Sequence, residues 1–299
     1  MDGGVRVWEP APPPARQVCT MRCRSPVLSC CWLNGQLLAY GSASGEVRLH
    51  DVSKRRQVLE LTGDAQPALR DRRVLHLAAA SPSSSLLCSV TSRASSGPSR
   101  SDLFIYDLKA SRQECTLSLP AGVSCGSAEF NHNGQLLLCA CSDGHVRVYD
   151  GRMEGCISDW TAHTGAALTV HLSPDQTHIY TLGADNKLVT WSLAQTGSQL
   201  SESCLHERAS GPFAVHRPGG EPAPQRPYGQ LFALDGRHHM LTCGATGGRL
   251  YQVGPSGLEH LLSLGGHGAP VLTCDMADNL CVTASLDGGV KTSSLLLPS

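Results

Sequence analysis

An all-β chain built from a repeated strand unit is the fold class the sequence predicts, and three observations predict it. A short motif recurs seven times, its closing residues fall at near-regular intervals, and no segment holds a 3.6-residue apolar period over a dozen positions. The chain carries 31 glycines and only 5% aromatics, a balance that suits many short strands joined by tight turns.

The motif is a small or acidic turn residue, usually a glycine next, then alternating apolar residues that end on an aromatic or polar position. It reads Asp2-Gly-Gly-Val-Arg-Val-Trp8, Ser44-Gly-Glu-Val-Arg-Leu-His50, Asp143-Gly-His-Val-Arg-Val-Tyr149 and Asp185-Asn-Lys-Leu-Val-Thr-Trp191. Weaker copies run from Asp102 to Tyr106, Thr246 to Gln252 and Asp287 to Ser293. The closing positions 8, 50, 106, 149, 191, 252 and 293 lie 42, 56, 43, 42, 61 and 41 residues apart. Four of these six intervals match the period of about 40–45 residues found in WD repeats. The sequence therefore predicts a seven-bladed WD-repeat β-propeller, a single domain over 1–299. The two long intervals hold a Ser-rich stretch, 81–101, and a Pro/Gly-rich stretch, 216–229. Both read as solvated loop insertions.

The unit after Cys125 shows how four strands are read. Ser127 to Phe130 is a short apolar strand, Asn131 to Gly134 a turn, and Gln135 to Cys141 a second strand. Ser142-Asp-Gly144 is a tight turn in which glycine supplies a positive φ. His145 to Tyr149 alternates with period two as a third strand, and Cys156 to Trp160 is the outer one. At the ends the count is expected to fall short. Met1 stands just before a third strand, so the first blade is predicted to lack its two inner strands. The last blade is predicted to lack its outer strand. Such a chain reads as the C-terminal part of a longer protein, or as a truncated product with exposed sheet edges.

Composition narrows the function classes. A net charge of -1 gives no global electrostatic case for nucleic acid or anionic membrane. The longest apolar runs, such as Leu136 to Cys141, fall far short of the ~20 residues of a membrane helix. Met1-Asp2-Gly3-Gly4 has neither the basic flank nor the apolar core of a signal peptide. The 14 cysteines include no Cys-x-x-Cys pair and no zinc spacing. Cys30, Cys31, Cys88, Cys139, Cys141 and Cys281 sit in apolar runs and read as buried, reduced thiols. His238-His239, His171 and His178 lack ligand-spaced partners. No metal and no cofactor is expected.

His163, Thr181, Asp185 and Trp191 stand at the spacing of the structural tetrad of WD repeats, in which the four side chains hydrogen-bond in series. Superficially the set imitates a catalytic triad with threonine as nucleophile, but the repeat accounts for the spacing. Partial copies are Asp143 with Tyr149, His267 with Asp287, and Asp2 with Trp8. Gly122-Val-Ser124-Cys-Gly126 matches a nucleophile elbow in letters. That motif needs a helix after it, and the next segment reads as a strand, so a serine hydrolase is the remote alternative and no catalytic residue is expected. Two basic clusters, Lys54-Arg55-Arg56 and Arg70, Arg72 and Arg73, are candidate partner-binding sites, or plain solvated surface. The Phe-Arg-Arg-Gly motif of phosphoinositide-binding propellers is absent. Pro10, Pro12, Pro13 and Pro14 read as a stiff link between two strands.

Beyond the repeat, several segments resemble the propeller of the WD repeat-containing protein 91 family. They are Phe130-Asn-His-Asn-Gly134, Gly211-Pro-Phe213, Leu241-Thr-Cys-Gly-Ala-Thr-Gly-Gly248, and Leu262-Ser-Leu-Gly-Gly-His267 with Ala269-Pro270-Val271. The ending Cys281-Val-Thr-Ala-Ser-Leu-Asp-Gly288 into Val290-Lys291 and Leu295-Leu296 joins them. The resemblance runs from about Asp2 to Leu297, and it rests on order and spacing more than on any one tetrapeptide. It implies a non-catalytic scaffold in early-to-late endosome conversion, an effector of a late-endosomal Rab GTPase that restrains the phosphatidylinositol 3-kinase complex. It implies a sister WD-repeat protein as partner, and a cytoplasmic protein peripheral on early and late endosome membranes. The alternative is a WD-repeat interaction scaffold of another pathway. Family members carry an N-terminal helical and coiled-coil region that this sequence does not contain. No motif marks partner-binding residues to carry over.

Overall fold

The computed structural model describes residues 3–10, 15–61, 72–80, 85–93, 101–151, 155–205, 231–235, 237–254, 257–277 and 279–295. Twenty-five strands and no helix occur among them, arranged in seven sheets whose strands are hydrogen-bonded in chain order. The first sheet holds β1 (Gly4–Glu9) and β2 (Arg16–Arg22). The second holds β3 (Val27–Trp32), β4 (Leu37–Ser42), β5 (Val47–Asp51) and β6 (Arg56–Glu60). The third holds β7 (Arg72–Ala79), β8 (Leu86–Arg93), β9 (Ser101–Asp107) and β10 (Arg112–Ser118). The fourth holds β11 (Cys125–Phe130), β12 (Leu136–Cys141), β13 (His145–Asp150) and β14 (Cys156–Thr161). The fifth holds β15 (Ala167–Leu172), β16 (His178–Gly183), β17 (Lys187–Ser192) and β18 (Gln199–Cys204). The sixth holds β19 (Phe232–Leu234), β20 (His239–Cys243), β21 (Gly248–Gly254) and β22 (Gly257–Leu264). The seventh holds β23 (Val271–Ala277), β24 (Leu280–Ser285) and β25 (Val290–Ser294).

This is an all-β propeller. Five sheets have four strands and one has three, which makes six blades; the expected seventh is the two-stranded first sheet. Register identifies that pair. In the second and fifth sheets the third and fourth strands shift register just before His50 and Trp191. β1 and β2 shift at the equivalent place, before Trp8. They are therefore a third and a fourth strand. A second bulge recurs near the start of the first strand in five sheets, after Val27, Val74, Cys125, Ala167 and Val271. Repeated bulges at one register position are a shared device of the unit. All seven closing residues of the motif lie on strands of the kind expected: β1, β5, β9, β13, β17, β21 and β25.

One expectation is corrected. The stretch 81–101 was expected as a loop, yet Leu86–Arg93 is strand β8, paired with β7 and β9. Leu87, Cys88, Ser89, Val90 and Thr91 are fully buried there. Its serines hide a strand because both faces of an inner strand are covered, so small polar residues can pack inside. The stretch 216–229 lies outside the described residues.

The chain divides into two compact units, 1–143 with 147–159, and 144–146 with 160–299. In the first unit, apolar side chains of successive sheets meet: Ala39, Val47 and Leu49 pack with Val74, Leu77, Leu87 and Phe104. In the second, Tyr180, Leu182 and Leu188 pack with Phe232, Met240 and Tyr251, and Leu241 and Leu250 with Val271 and Cys274. Middle strands are thus covered on both faces, as in Ile179 to Gly183, whereas an outer strand such as β18 alternates exposed and half-buried residues. Burial on both faces blurs the period-two signal of the middle strands.

Candidate functional site

The most complete polar constellation is in the fifth sheet. His163 precedes β15, Thr181 is on β16, Asp185 is in the turn to β17, and Trp191 is on β17. Trp191 Nε1 donates to Thr181 Oγ1 at 2.9 Å. Thr181 Oγ1 lies 2.9 Å from His163 Nε2, and His163 Nδ1 lies 3.0 Å from Asp185 Oδ1. His163 and Trp191 are 4% exposed and Thr181 not at all. Burial pushes the His163 pKa below its ordinary value, against the pull of the Asp185 carboxylate. The ring is then neutral, with the proton on Nδ1 donated to Asp185 and Nε2 accepting the Thr181 hydroxyl proton. Every polar atom of the series has a partner. Asp185 also accepts the backbone N–H groups of Thr164 and Lys187, so the carboxylate ties the turn to the segment before β15. The arrangement holds a turn; no hydroxyl in it faces solvent for attack on a substrate.

Two small residues make room for this series. A Cβ on Gly183 would stand 2.4 Å from the His163 ring and 2.5 Å from Asp185 Oδ1. Gly144 has φ +84, and its Cβ would stand 2.4 Å from the His163 carbonyl oxygen. A glycine in the left-handed region is required where the backbone approaches that closely.

The partial copies differ. In the seventh sheet His267 Nε2 lies 2.8 Å from Thr283 Oγ1, but its Nδ1 is 3.9 Å from Asp287 and makes no hydrogen bond. Thr283 escaped the sequence reading, although Thr283 and Asp287 repeat the four-residue spacing of Thr181 and Asp185. In the fourth sheet, Asp143 is held by Arg147 in a bidentate pair at 2.7 and 3.1 Å. Tyr149 is buried. Trp8 is 53% exposed, which corrects its placement in a buried set, and Asp2 lies outside the described residues.

Arg147, on β13, is a buried cation that the sequence reading did not single out. Its side chain is 6% exposed and its Nε reaches Asp159 at 3.3 Å. With Tyr149, Cys156, Ser118 and Asp159 it lines a cleft of about 540 Å³ between β10 and the outer part of the fourth sheet. Two carboxylates, Asp143 and Asp159, offset the Arg147 charge beside the cleft.

The basic clusters separate. Lys54 and Arg55 form the turn between β5 and β6, and Arg56 opens β6; all three are exposed. Lys54 reaches Asp51 at 3.1 Å, and the Ser53 hydroxyl and the Lys54 amide hold the Asp51 carboxyl well below the usual range. Arg72 corrects the second cluster. It is 6% exposed, lies 2.6 Å from Asp102, and stacks 5.2 Å over the Phe104 ring. The partner lies 30 residues away, so nothing local signalled the pair. Arg73 is exposed on β7, and Arg70 lies outside the described residues.

Ser124 is followed directly by strand β11, so the elbow has no helix behind it; its amide donates to the Ser142 hydroxyl and the turn is tied to the neighbouring hairpin. The cysteines are free thiols. Cys88, Cys139, Cys141 and Cys281 are buried, but Cys30 is exposed and Cys31 half-buried, because they alternate on the innermost strand of the second sheet. No helix is long and apolar enough to cross a membrane among the described residues.

Comparison with known proteins agrees with the geometry. The WD domain, G-beta repeat family matches residues 113–150, which span β10 to β13. WD repeat-containing protein 91 of Mus musculus is 35% identical over 99% of this chain, and that of Danio rerio 36% over 99%. The Dictyostelium discoideum homologue is 27% identical over 99%. The chain spans only 42%, 43% and 36% of these relatives' own lengths. Among solved structures, a chain of the mitotic checkpoint complex superposes with a TM-score of 0.73 at 18% identity, covering 98% of this chain and 82% of that one. That likeness shows the fold alone. The identity to curated relatives extends over nearly every residue: this chain belongs to the WD repeat-containing protein 91 family.

Proposed function

We propose that this chain is a non-catalytic scaffold and effector propeller of early-to-late endosome conversion. It binds a late-endosomal Rab GTPase in its GTP form, restrains the phosphatidylinositol 3-kinase complex, and works beside a sister WD-repeat protein. Its place is the cytoplasmic side of early and late endosome membranes, held there through partners. The observation that carries the reading is the 35% identity over 99% of the chain. A WD-repeat propeller supports partner binding in general, since rigid sheets present loops for recognition. The burial of the His163 series supports the absence of catalysis, because the best apparent catalytic set is consumed in holding a turn. The test is a pull-down of late-endosomal Rab protein by the purified chain. Capture with a non-hydrolysable GTP analogue and not with GDP is expected. Equal capture in both states, or none, overturns the effector reading and leaves a scaffold of another pathway.

A further inference from the structure

The cleft of about 540 Å³ beside β10 and the fourth sheet lies within one compact unit. Arg147 and Tyr149 stand two residues apart on β13, share one face of that strand, and form the floor. The end of β10 and the chain after it bring Thr116, Ser118 and Leu119 to one wall, and β14 brings Asp159 to the other. The volume falls within the roughly 300–1,000 Å³ of sites that enclose a small ligand group.

Tyr149 is the residue that points to an occupant. It is 4% exposed and borders the cleft. Its hydroxyl has no hydrogen-bond partner among the described residues. A phenol withdrawn from water in this way is an exception in folded proteins, because the lost hydration is not replaced. Unlike the Trp160 Nε1, which protein seals in, the Tyr149 hydroxyl keeps an opening, and the cleft is that opening. Burial pushes the Tyr149 pKa up, so at neutral pH the phenol keeps its proton and offers its lone pairs to a donor.

Charge decides the class of donor. The Asp159 side chain is 42% exposed, whereas its partner Arg147, 3.3 Å away, is 6% exposed and is also held by Asp143 at 2.7 Å. An incoming group therefore meets a carboxylate before it meets the guanidinium. Ser118 donates its proton to Asp102 at 3.3 Å, which leaves its oxygen as a further acceptor. Leu119 adds an apolar surface.

We propose that the cleft receives a lysine side chain of a partner protein. The ammonium has three N–H donors and no acceptor, matching a lining of oxygen acceptors. It donates to the Tyr149 oxygen and pairs with Asp159, while its methylenes lie along Leu119. The cleft takes this chemistry whichever pathway the partner serves, and a failed Rab pull-down leaves it standing.

The probe is the capped tripeptide acetyl-Ala-Lys-Ala-amide, titrated into the isotope-labelled chain beside acetyl-Ala-Gln-Ala-amide and butylammonium chloride. Saturable shifts on the amides of Ser118, Tyr149 and Asp159 are expected with the lysine peptide, and roughly fivefold weaker binding of the glutamine peptide. Asp159→Asn, which leaves Arg147 its Asp143 partner, should also weaken lysine binding roughly fivefold. Tyr149→Phe should weaken it roughly threefold and leave the thermal unfolding midpoint unchanged or raised, because the lost hydroxyl has no partner in the fold. No saturable shifts at these amides, or equal binding of the two peptides, overturns the proposal. A midpoint lowered by Tyr149→Phe shows that the hydroxyl serves the fold and overturns it too. Butylammonium bound as tightly as the lysine peptide assigns the cleft to free alkylamines and overturns the partner reading.

Discussion

The fifth and seventh sheets carry the same histidine, threonine and aspartate in the same register, yet their aspartates behave differently. In the fifth sheet His163 touches both Thr181 and Asp185, and Trp191 adds a donor to the hydroxyl. In the seventh, His267 touches Thr283, Asp287 stands off at 3.9 Å, and the closing residue is Ser293. Gly183 has Ser285 as its counterpart, since each pairs with the first residue of its sheet's first strand. A Cβ in the fifth sheet would invade both the imidazole and the carboxylate; the seventh sheet has that Cβ, and its carboxylate keeps the two equivalent amides, of Gly268 and Gly289, but stands off from the imidazole. The completeness of a polar series thus depends on a residue that contributes no polar side chain to it.

The largest expected effect tests that point. Gly183→Ala should destabilise the chain by about 3 kcal/mol in denaturant unfolding, because the new methyl overpacks a closed polar cluster. Ser285→Gly removes the hydroxyl that donates to the Ala269 carbonyl and accepts the Asp287 amide and should cost about 1 kcal/mol. Equal losses would show that room at this position is not what separates the sheets.

Next comes the hydroxyl. Thr181→Val strands the His163 acceptor and the Trp191 donor together and should cost about 2–3 kcal/mol, against about 1 kcal/mol for Thr283→Val, which strands one group. The ratio, read from paired unfolding curves, matters more than either value. Trp191→Phe keeps most of the ring and loses one hydrogen bond, so a loss of about 1 kcal/mol is expected by the same measurement.

The smallest effect is on pH. Burial lowers the folded-state pKa of His163 below its ordinary 6.5. The unfolded chain then binds the proton more readily, so stability is full above that value and falls as pH drops through it. The midpoint of thermal unfolding should decline between about pH 7.5 and about pH 5.5, and His163→Gln should flatten the decline. His50, whose pKa burial also lowers, leaves a residual slope.

How much was legible beforehand varies by residue. The closing positions of the motif, the turn glycine at 144 and the four side chains of the fifth sheet were readable because they recur at a fixed period. Leu86–Arg93 was not, because its serines look solvated until two neighbouring strands cover them. Arg72 read as part of a solvated basic cluster because its partner Asp102 lies far along the chain; the carboxylate accompanies it inward, as Asp143 and Asp159 do for Arg147. Thr283 carried a signal, its spacing to Asp287, that a strict search for a complete tetrad passes over.

The sequence by itself determined the repeat and the turn chemistry, since these depend on local φ preferences and on a period that the chain displays along its own length. Tertiary structure decided which charges are buried and which tetrads close. Those outcomes depend on groups brought together from tens of residues apart, where the room around one Cβ bears on whether a hydrogen bond forms.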